Sequence, residues 1–485
     1  MFYSPTEMGI DAVVLMVLVL PPWFHLGHGT SGAERACHCA SSIGLRASSE
    51  YKYPLPSPKD QSDKKMKLFS LLLLLQFLCS SQAQQVGTEK PEKAVPFTVQ
   101  QCDNGACKPV QGGLTIDANW RWTHKAGQDC YQGTKWDPTI CANGDDCAKN
   151  CAIEGADYEK DYGVVPTGTD SVTLKFVTNK NVGSRMYLLD ASGQKYQMFM
   201  LKNKQFSFDV DVSKLPCGIN GALYFTAMDA DGGTSAFPNN KAGAKYGTGY
   251  CDAQCPRDIK FIAGKANSEG WQGEGTDAGK GKMGNCCPEM DIWEANSISQ
   301  AFTPHTCKDI SAKPCTGALC GDGEGNRYKG LCDKDGCDFA SYRWGATEFY
   351  GKGKKVDTSK KMTVTTQFVT KDNTDRGELS EIRRVYVQDG KVIQNEAETR
   401  WQRYGTRHEY WDDGEAKMQW LDGTYPPGKS ADTFGAKRGT CEANTGDPTT
   451  VRAANPDASV TFSNVKIGPI VKVAADAAGG TAPKN

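Results

Sequence analysis

The sequence predicts an all-β fold: two antiparallel sheets packed face to face, as in sandwiches and jelly rolls, with long loops over one face. Three observations predict it. Apolar residues recur with period two; Gly-rich and Asn/Asp-rich turns separate the runs while long helical periodicity is missing; and twenty cysteines are spread at irregular spacing through 485 residues. A prior of roughly 150 residues per domain suggests three domains, but β-sandwiches often reach about 200–250 residues as one. No internal repeat or Pro/Ser/Thr-rich linker divides this chain. Lys plus Arg (56) nearly balances Asp plus Glu (57), so nothing points to nucleic acid or an anionic membrane. A neutral partner such as a polysaccharide fits better.

In chain order, residues 1–65 hold one short apolar patch, Ala12–Leu20, ended by Pro21-Pro22 and followed by sequence without periodicity. They read as an artefact of gene annotation or a disordered extension. Lys64, Lys65 and Lys67 then precede the apolar run Leu68–Leu78, and Ser81-Gln82-Ala83 offers the small residues a signal peptidase accepts. Residues 66–83 are therefore expected to be a signal peptide, with Met66 as the true start and a secreted chain beginning near Gln84; the run is too short to span a bilayer. Beyond it, Val172, Leu174 and Phe176 alternate with polar neighbours, as do Phe206, Phe208, Val210 and Val212, then Val385 and Val387, then Val460 and Phe462. Such strands bury one face and wet the other. Turns such as Asp229-Ala230-Asp231-Gly232-Gly233 and Gln388-Asp389-Gly390 separate them. Residues 84–472 read as one domain, and 473–485 as a small, polar, flexible tail.

Irregularly spaced cysteines with short gaps, such as Cys102 to Cys107, indicate a disulfide framework of the secreted kind. Only His124, His305 and His408 lie beyond residue 40, and the spacings do not make paired zinc sites, so no metal or other cofactor is expected.

The stretch that carries chemistry is Glu289-Met290-Asp291-Ile292-Trp293-Glu294, three carboxylates in six residues, just after the vicinal Cys286 and Cys287. Splitting an acetal between two sugars calls for such a set: one carboxylate attacks the anomeric carbon and another protonates the departing oxygen. Along a strand, Glu289 and Asp291 share a face, whereas Glu294 would point the other way. A β-bulge near Ile292 and Trp293 is required to bring Glu294 back.

The run Cys286-Cys287-Pro288-Glu289-Met290-Asp291-Ile292-Trp293-Glu294-Ala295-Asn296-Ser297 resembles the signature of the family 7 glycoside hydrolases, the cellobiohydrolases and endoglucanases that cut cellulose with retention. Further runs match in order: Ile116–His124, Phe206–Val212, Leu215–Tyr224 and Lys245–Asp252. The resemblance covers most of residues 84–472 and implies a concanavalin-like jelly roll acting on β-1,4-glucans such as cellulose as a monomer. Carried over residue by residue, it makes Glu289 the nucleophile, Glu294 the general acid and then base, and Asp291 the partner of Glu289, and it places His305 near the sugar ring at the cleavage point. It assigns sugar stacking to Trp120, Trp122, Trp411 and Trp420, the product end of the cleft to Arg327, Asp335 and Arg438, and the inner wall to Tyr224, Asp252 and Gln254. It implies eight disulfides: Cys102–Cys107, Cys130–Cys151, Cys141–Cys147, Cys217–Cys441, Cys251–Cys287, Cys255–Cys286, Cys307–Cys332 and Cys315–Cys320. Cys337 lies outside these eight.

The long Trp271–Cys286 and Cys307–Arg327 loops favour the cellobiohydrolase form and processive release of cellobiose, the resemblance implies travel from the reducing end, and an endoglucanase is the alternative. One departure stands out. Between Glu398 and Trp411 this chain offers only the basic, aromatic segment Thr399–Tyr410, where the family carries several tens of residues, including a cleft-covering loop and a core strand. Either the gene model skipped an exon, which is the reading adopted, or the product folds poorly and leaves an inactive sugar-binding sandwich.

Overall fold

The computed structural model describes residues 11–19, 84–103, 105–273, 279–323, 325–395 and 417–471. Twelve strands form one continuous hydrogen-bonded path: β1 Asp11–Val19, β2 Val95–Asp103, β3 Ala106–Ile116, β4 Ser184–Leu189, β5 Lys204–Asp211, β6 Asn220–Thr226, β7 Glu289–Ala295, β8 Gln300–His305, β9 Met362–Thr370, β10 Leu379–Gln388, β11 Lys391–Gln394 and β12 Ser459–Pro469. Their order is β8-β7-β6-β1-β4-β3-β2-β12-β5-β9-β10-β11. Neighbours run antiparallel except β2 and β12, which pair in parallel. The longest helices among the described residues, Gly144–Asn150 and Pro448–Ala454, have seven residues each, and none is long and apolar enough to cross a membrane.

The path does not lie flat. β7 and β5 stand seven places apart in the order, which in a flat sheet would separate them by roughly 30–35 Å. Yet the rings of Trp293 on β7 and Phe208 on β5 are 6.1 Å apart, and those of Trp293 and Tyr386 on β10 are 6.4 Å apart. The sheet therefore curls until its two ends face each other as the layers of a β-sandwich. Most of the expected alternation supplies the filling: Val172, Leu174, Phe176, Phe206, Phe208, Val210, Val212, Val460 and Phe462 are all fully buried in one core. On β10 the faces are exchanged, because Tyr386 enters that core while Val387 is only half-buried.

All eight disulfides implied by the resemblance are present. Two of them, Cys251–Cys287 and Cys255–Cys286, fasten the Asp252–Gln254 loop to the segment that opens β7.

The reading of residues 1–65 as a disordered or artefactual extension meets a difference at Asp11–Val19. This segment is β1, hydrogen-bonded to β6 from Val13↔Thr226 to Val19↔Asn220 and to β4 from Leu15↔Tyr187 to Leu18↔Ser184. The apolar run Ala12–Leu20 noted in the sequence overlaps this strand. The expected signal peptide at 66–83, the Thr399–Tyr410 segment and the tail at 473–485 lie outside the described residues.

Candidate active site

β7 pairs with β8 as Glu289↔His305, Asp291↔Thr303 and Glu294↔Ala301, so three steps on β7 oppose two on β8. Against β6 the same excess appears, Met290↔Phe225 and Trp293↔Leu223. This is the bulge the acid spacing required, at Ile292 and Trp293. It sends two consecutive side chains, Ile292 and Trp293, into the core, where both are fully buried, and restores Glu294 to the face of Glu289 and Asp291. Glu289 and Glu294 are half-buried and Asp291 is buried.

Each acid has a defined partner. Glu289 accepts from the Ala253 amide at 3.0 Å on Oε2, a donor held in place by the two disulfides that clamp its loop. Glu294 accepts from Asn220 Nδ2 at 3.0 Å, and the side-chain Oδ1 of Asn220 accepts from the Ala295 amide at 3.0 Å, so β6 fixes the Glu294 head across the bulge. Asp291 Oδ2 lies 3.1 Å from His305 Nε2, while His305 Nδ1 is 2.9 Å from the Asp333 carbonyl. Because a carbonyl only accepts, Nδ1 carries the hydrogen of that contact and Nε2 is the ring nitrogen that faces Asp291.

Electrostatics follow from this crowding. Burial pushes Glu289 well above the ordinary carboxyl range, and the charges of Asp291 and Asp252 push it further. Burial likewise raises Asp291, with Glu294 and Asp252 adding to the effect. Asp252 is raised by burial too, even though Tyr250 donates to it at 2.5 Å and the Gln254 amide at 2.7 Å. Carboxyls that hold protons beside carboxylates that have lost them are what acid–base cleavage of an acetal needs. Glu289, Asp291 and His305 offer ligand atoms within 4.8 Å of one another, a spacing that would also accept a cation.

The remaining sequence-derived residues fall into three groups. Tyr224 joins the acid site through Tyr250, hydroxyl to hydroxyl at 2.8 Å, and Asp252 and Gln254 sit on the clamped loop, with Gln254 donating to the Lys334 carbonyl at 2.5 Å. Half-buried Trp122 stacks on His124 at 4.0 Å and donates to Asp129, while Trp120 donates to the Gly183 carbonyl beneath the Arg185 guanidinium. Trp420 packs against Ala301, Met418 and Leu421. Arg327 is bonded to Asp335 at 2.8 Å, but Arg438 is only 3% exposed and committed to Asp338 at 2.7 Å, which leaves it little surface to offer a ligand. Trp411 lies outside the described residues.

Sequence reasoning missed Asn220, Arg185 and the Ala253 amide. Asn220 sat inside a quoted run without being singled out. Arg185 is buried 3.4 Å over the Tyr250 ring and bonds Asp117 at 2.6 Å, a pairing of residues far apart in sequence. A backbone amide leaves no mark on a sequence.

A disulfide-framed β-sandwich with three clustered carboxyls on one bulged strand defines an acid–base hydrolase of the glycosidase class. Comparison with known proteins agrees. The model of glycosyl hydrolase family 7 matches residues 86–407 and 408–473. A family 7 cellobiohydrolase from Daphnia pulex is 43% identical with a TM-score of 0.76, the match covering 80% of this chain and 99% of that one. A cellobiohydrolase from Melanocarpus albomyces complexed with cellotetraose is 41% identical with a TM-score of 0.71 over the same shares, and the endocellulase EGI from Humicola insolens is 34% identical with a TM-score of 0.63, again over 80% and 99%. The chain belongs to glycosyl hydrolase family 7.

Proposed function

We propose that this protein is a secreted, monomeric, retaining cellulase, cutting β-1,4-glucosidic bonds and acting processively from the reducing end as a cellobiohydrolase. Glu289 attacks the anomeric carbon and Glu294 protonates the leaving oxygen. After the cellobiose leaving group departs, Glu294 deprotonates the water that hydrolyses the glycosyl–enzyme. Asp291, sharing its proton with His305 or Glu289, steadies and tunes the nucleophile. Trp120, Trp122, Trp411 and Trp420 stack on glucosyl rings; Arg327 and Asp335 serve the product end, with the buried Arg438 acting there only as a structural support through Asp338, and Tyr224, Asp252 and Gln254 serve the inner wall.

The bulge between Asp291 and Glu294 carries this reading, since without it the third acid would face away from the other two. The exo mode draws support from the two long loops, which are zipped together where Met283–Cys286 pairs with Lys313–Thr316, and from the likeness to two cellobiohydrolases. The test is the product profile on amorphous cellulose together with NMR of the first-formed anomer. Mainly cellobiose, released as the β-anomer while long chains stay long, is expected. Rapid shortening of the chains would assign an endoglucanase, and an initial α-anomer would end the retaining scheme. Cellulose binding that releases no sugar and is unaltered by Glu289→Gln would leave only a sugar-binding sandwich.

A further inference from the structure

Among the described residues four arginines are buried, and three of them are neutralised in place. Arg121 meets Glu92 at 2.5 Å, Arg185 meets Asp117 at 2.6 Å and Arg438 meets Asp338 at 2.7 Å. Arg384 on β10, only 1% exposed, is the exception. The charges that act on it come from the hydroxyls of Tyr386 and Tyr350, with no carboxylate among them. Its one acceptor is the Ile292 carbonyl, which takes Nη2, while Nε and Nη1 are buried and bond nothing among the described residues.

The register shows where this guanidinium goes. Arg384 lies opposite Thr366 on β9 and two residues before Tyr386, whose ring is part of the core, so it enters the sandwich from the same face. Its Cζ is 4.8 Å from the Phe302 ring on β8, 5.8 Å from the Trp293 ring on β7 and 5.9 Å from the Tyr386 ring. Aromatic faces offset part of a cation's lost hydration, but they leave the N–H groups in the guanidinium plane without acceptors. The neighbours bring more donors than acceptors: Trp293 Nε1 and the hydroxyls of Tyr386 and Thr366 are also buried and make no hydrogen bond. An indole N–H can only donate, and a hydroxyl can donate as readily as accept. A buried positive charge among unmet donors is costly unless something negative joins it.

We propose that Arg384 holds a small monovalent anion, chloride in size and charge, in the core between β7, β8 and β10. The anion neutralises the guanidinium and accepts from Nε and Nη1, and the Tyr386 hydroxyl and Trp293 indole are the nearest further donors. It also reaches the acid cluster. Ile292, whose carbonyl takes Nη2, is one of the two bulge residues that return Glu294 to the face of Glu289, so the Arg384–anion pair braces the bulge from behind. The binding itself stands whether or not the chain cuts cellulose.

Crystals of the wild-type enzyme grown in sodium chloride, with diffraction recorded at a wavelength where chlorine scatters anomalously, test this directly. An anomalous peak within hydrogen-bond distance of Arg384 Nε and Nη1 is expected. Water density without such a peak, halide peaks at the surface only, or a carboxylate of this chain paired with the guanidinium would each overturn the proposal. Thermal unfolding in sodium chloride and in sodium gluconate at equal ionic strength gives a second reading. Wild type should melt higher in chloride, because an ion that binds only the folded state stabilises it, and Arg384→Leu should melt at the same temperature in both. A chloride effect that persists in Arg384→Leu places the ion elsewhere and ends the assignment; if that variant does not fold, the wild-type crystal decides alone.

Discussion

Two groups of buried charges in this fold behave in opposite ways. At the acid cluster, burial and neighbouring acids act in the same sense, and both Glu289 and Asp291 are raised. At Asp338, burial again pushes upward, but the guanidinium groups of Arg438 and Arg343 outweigh it and hold the carboxyl well below its usual range. Burial alone therefore does not mark a functional acid. What separates the two is the sign of the neighbours: acids packed with acids keep protons to exchange, while an acid packed between arginines is a permanent anion that joins Gly423–Arg438 to the Arg343 loop. The sandwich spends stability in the first region and recovers some of it in the second.

The largest effect should come from removing an acid of the first group. Glu294→Gln is expected to lower kcat on cellulose by about 10²–10⁴-fold, the usual contribution of a general acid, and to lose far less on an aryl glucoside whose leaving group needs no proton. An equal loss on both substrates would take the acid role away from Glu294. In the second group Asp338→Asn should leave two guanidinium groups facing each other and cost about 3–5 kcal/mol of stability with little change in turnover per folded molecule. Because Asp338 is depressed, its contribution is present above the unfolded carboxyl pKa and lost only as pH falls below it. Unfolding of wild type and variant should therefore differ from pH 5 to 8 and converge in stronger acid; a difference that shrinks toward alkaline pH would contradict the assignment.

Asp422 lies between these extremes. It accepts from the Gly218 amide at 2.8 Å and from Asn296 Nδ2 at 2.7 Å, both on Oδ2, and burial pushes it up to about 6. A raised carboxyl gives stability that is fully present below the unfolded pKa and lost as pH rises through the folded one. From 3.8 to about 6 is roughly two units, about 3 kcal/mol. Asp422→Asn can keep both acceptor contacts without the charge, so its melting temperature should match wild type near pH 4 and exceed it at pH 7. A variant less stable at both values would show that the ionised form is the one the fold requires.

What the sequence revealed, and what it hid, follows the reach of each interaction. The bulge at Ile292 and Trp293 was legible because alternation along one strand is a local rule that three acids in six residues must break. The disulfides were legible only through resemblance, since spacing leaves many pairings open. Asn220 and Arg185 act across strands far from their partners in sequence, and no pattern along the chain announces such contacts. Val387, expected to alternate inward with Val385, is only half-buried because β10 is covered on both sides at Val385 and Tyr386, where alternation loses its meaning. The Ala12–Val19 run was noticed but set aside, because an unbroken apolar run has no period to detect.

The smallest expected effect is also the one that tests how the acids share their protons. Asp291→Asn keeps the shape of the cluster and removes the largest charge acting on Glu289. With a like charge gone, Glu289 should ionise at lower pH. The acid limb of kcat/KM, which reports ionisation of the free enzyme's nucleophile, should then shift toward lower pH while the maximal rate falls because the nucleophile is less well held. The asparagine amide can still donate to Glu289, but it cannot occupy the proton-sharing position between Oδ2 and His305 Nε2. If the limb moves instead toward higher pH, Asp291 serves mainly as a proton donor to an ionised Glu289, and the like-charge account of the raised pair is wrong.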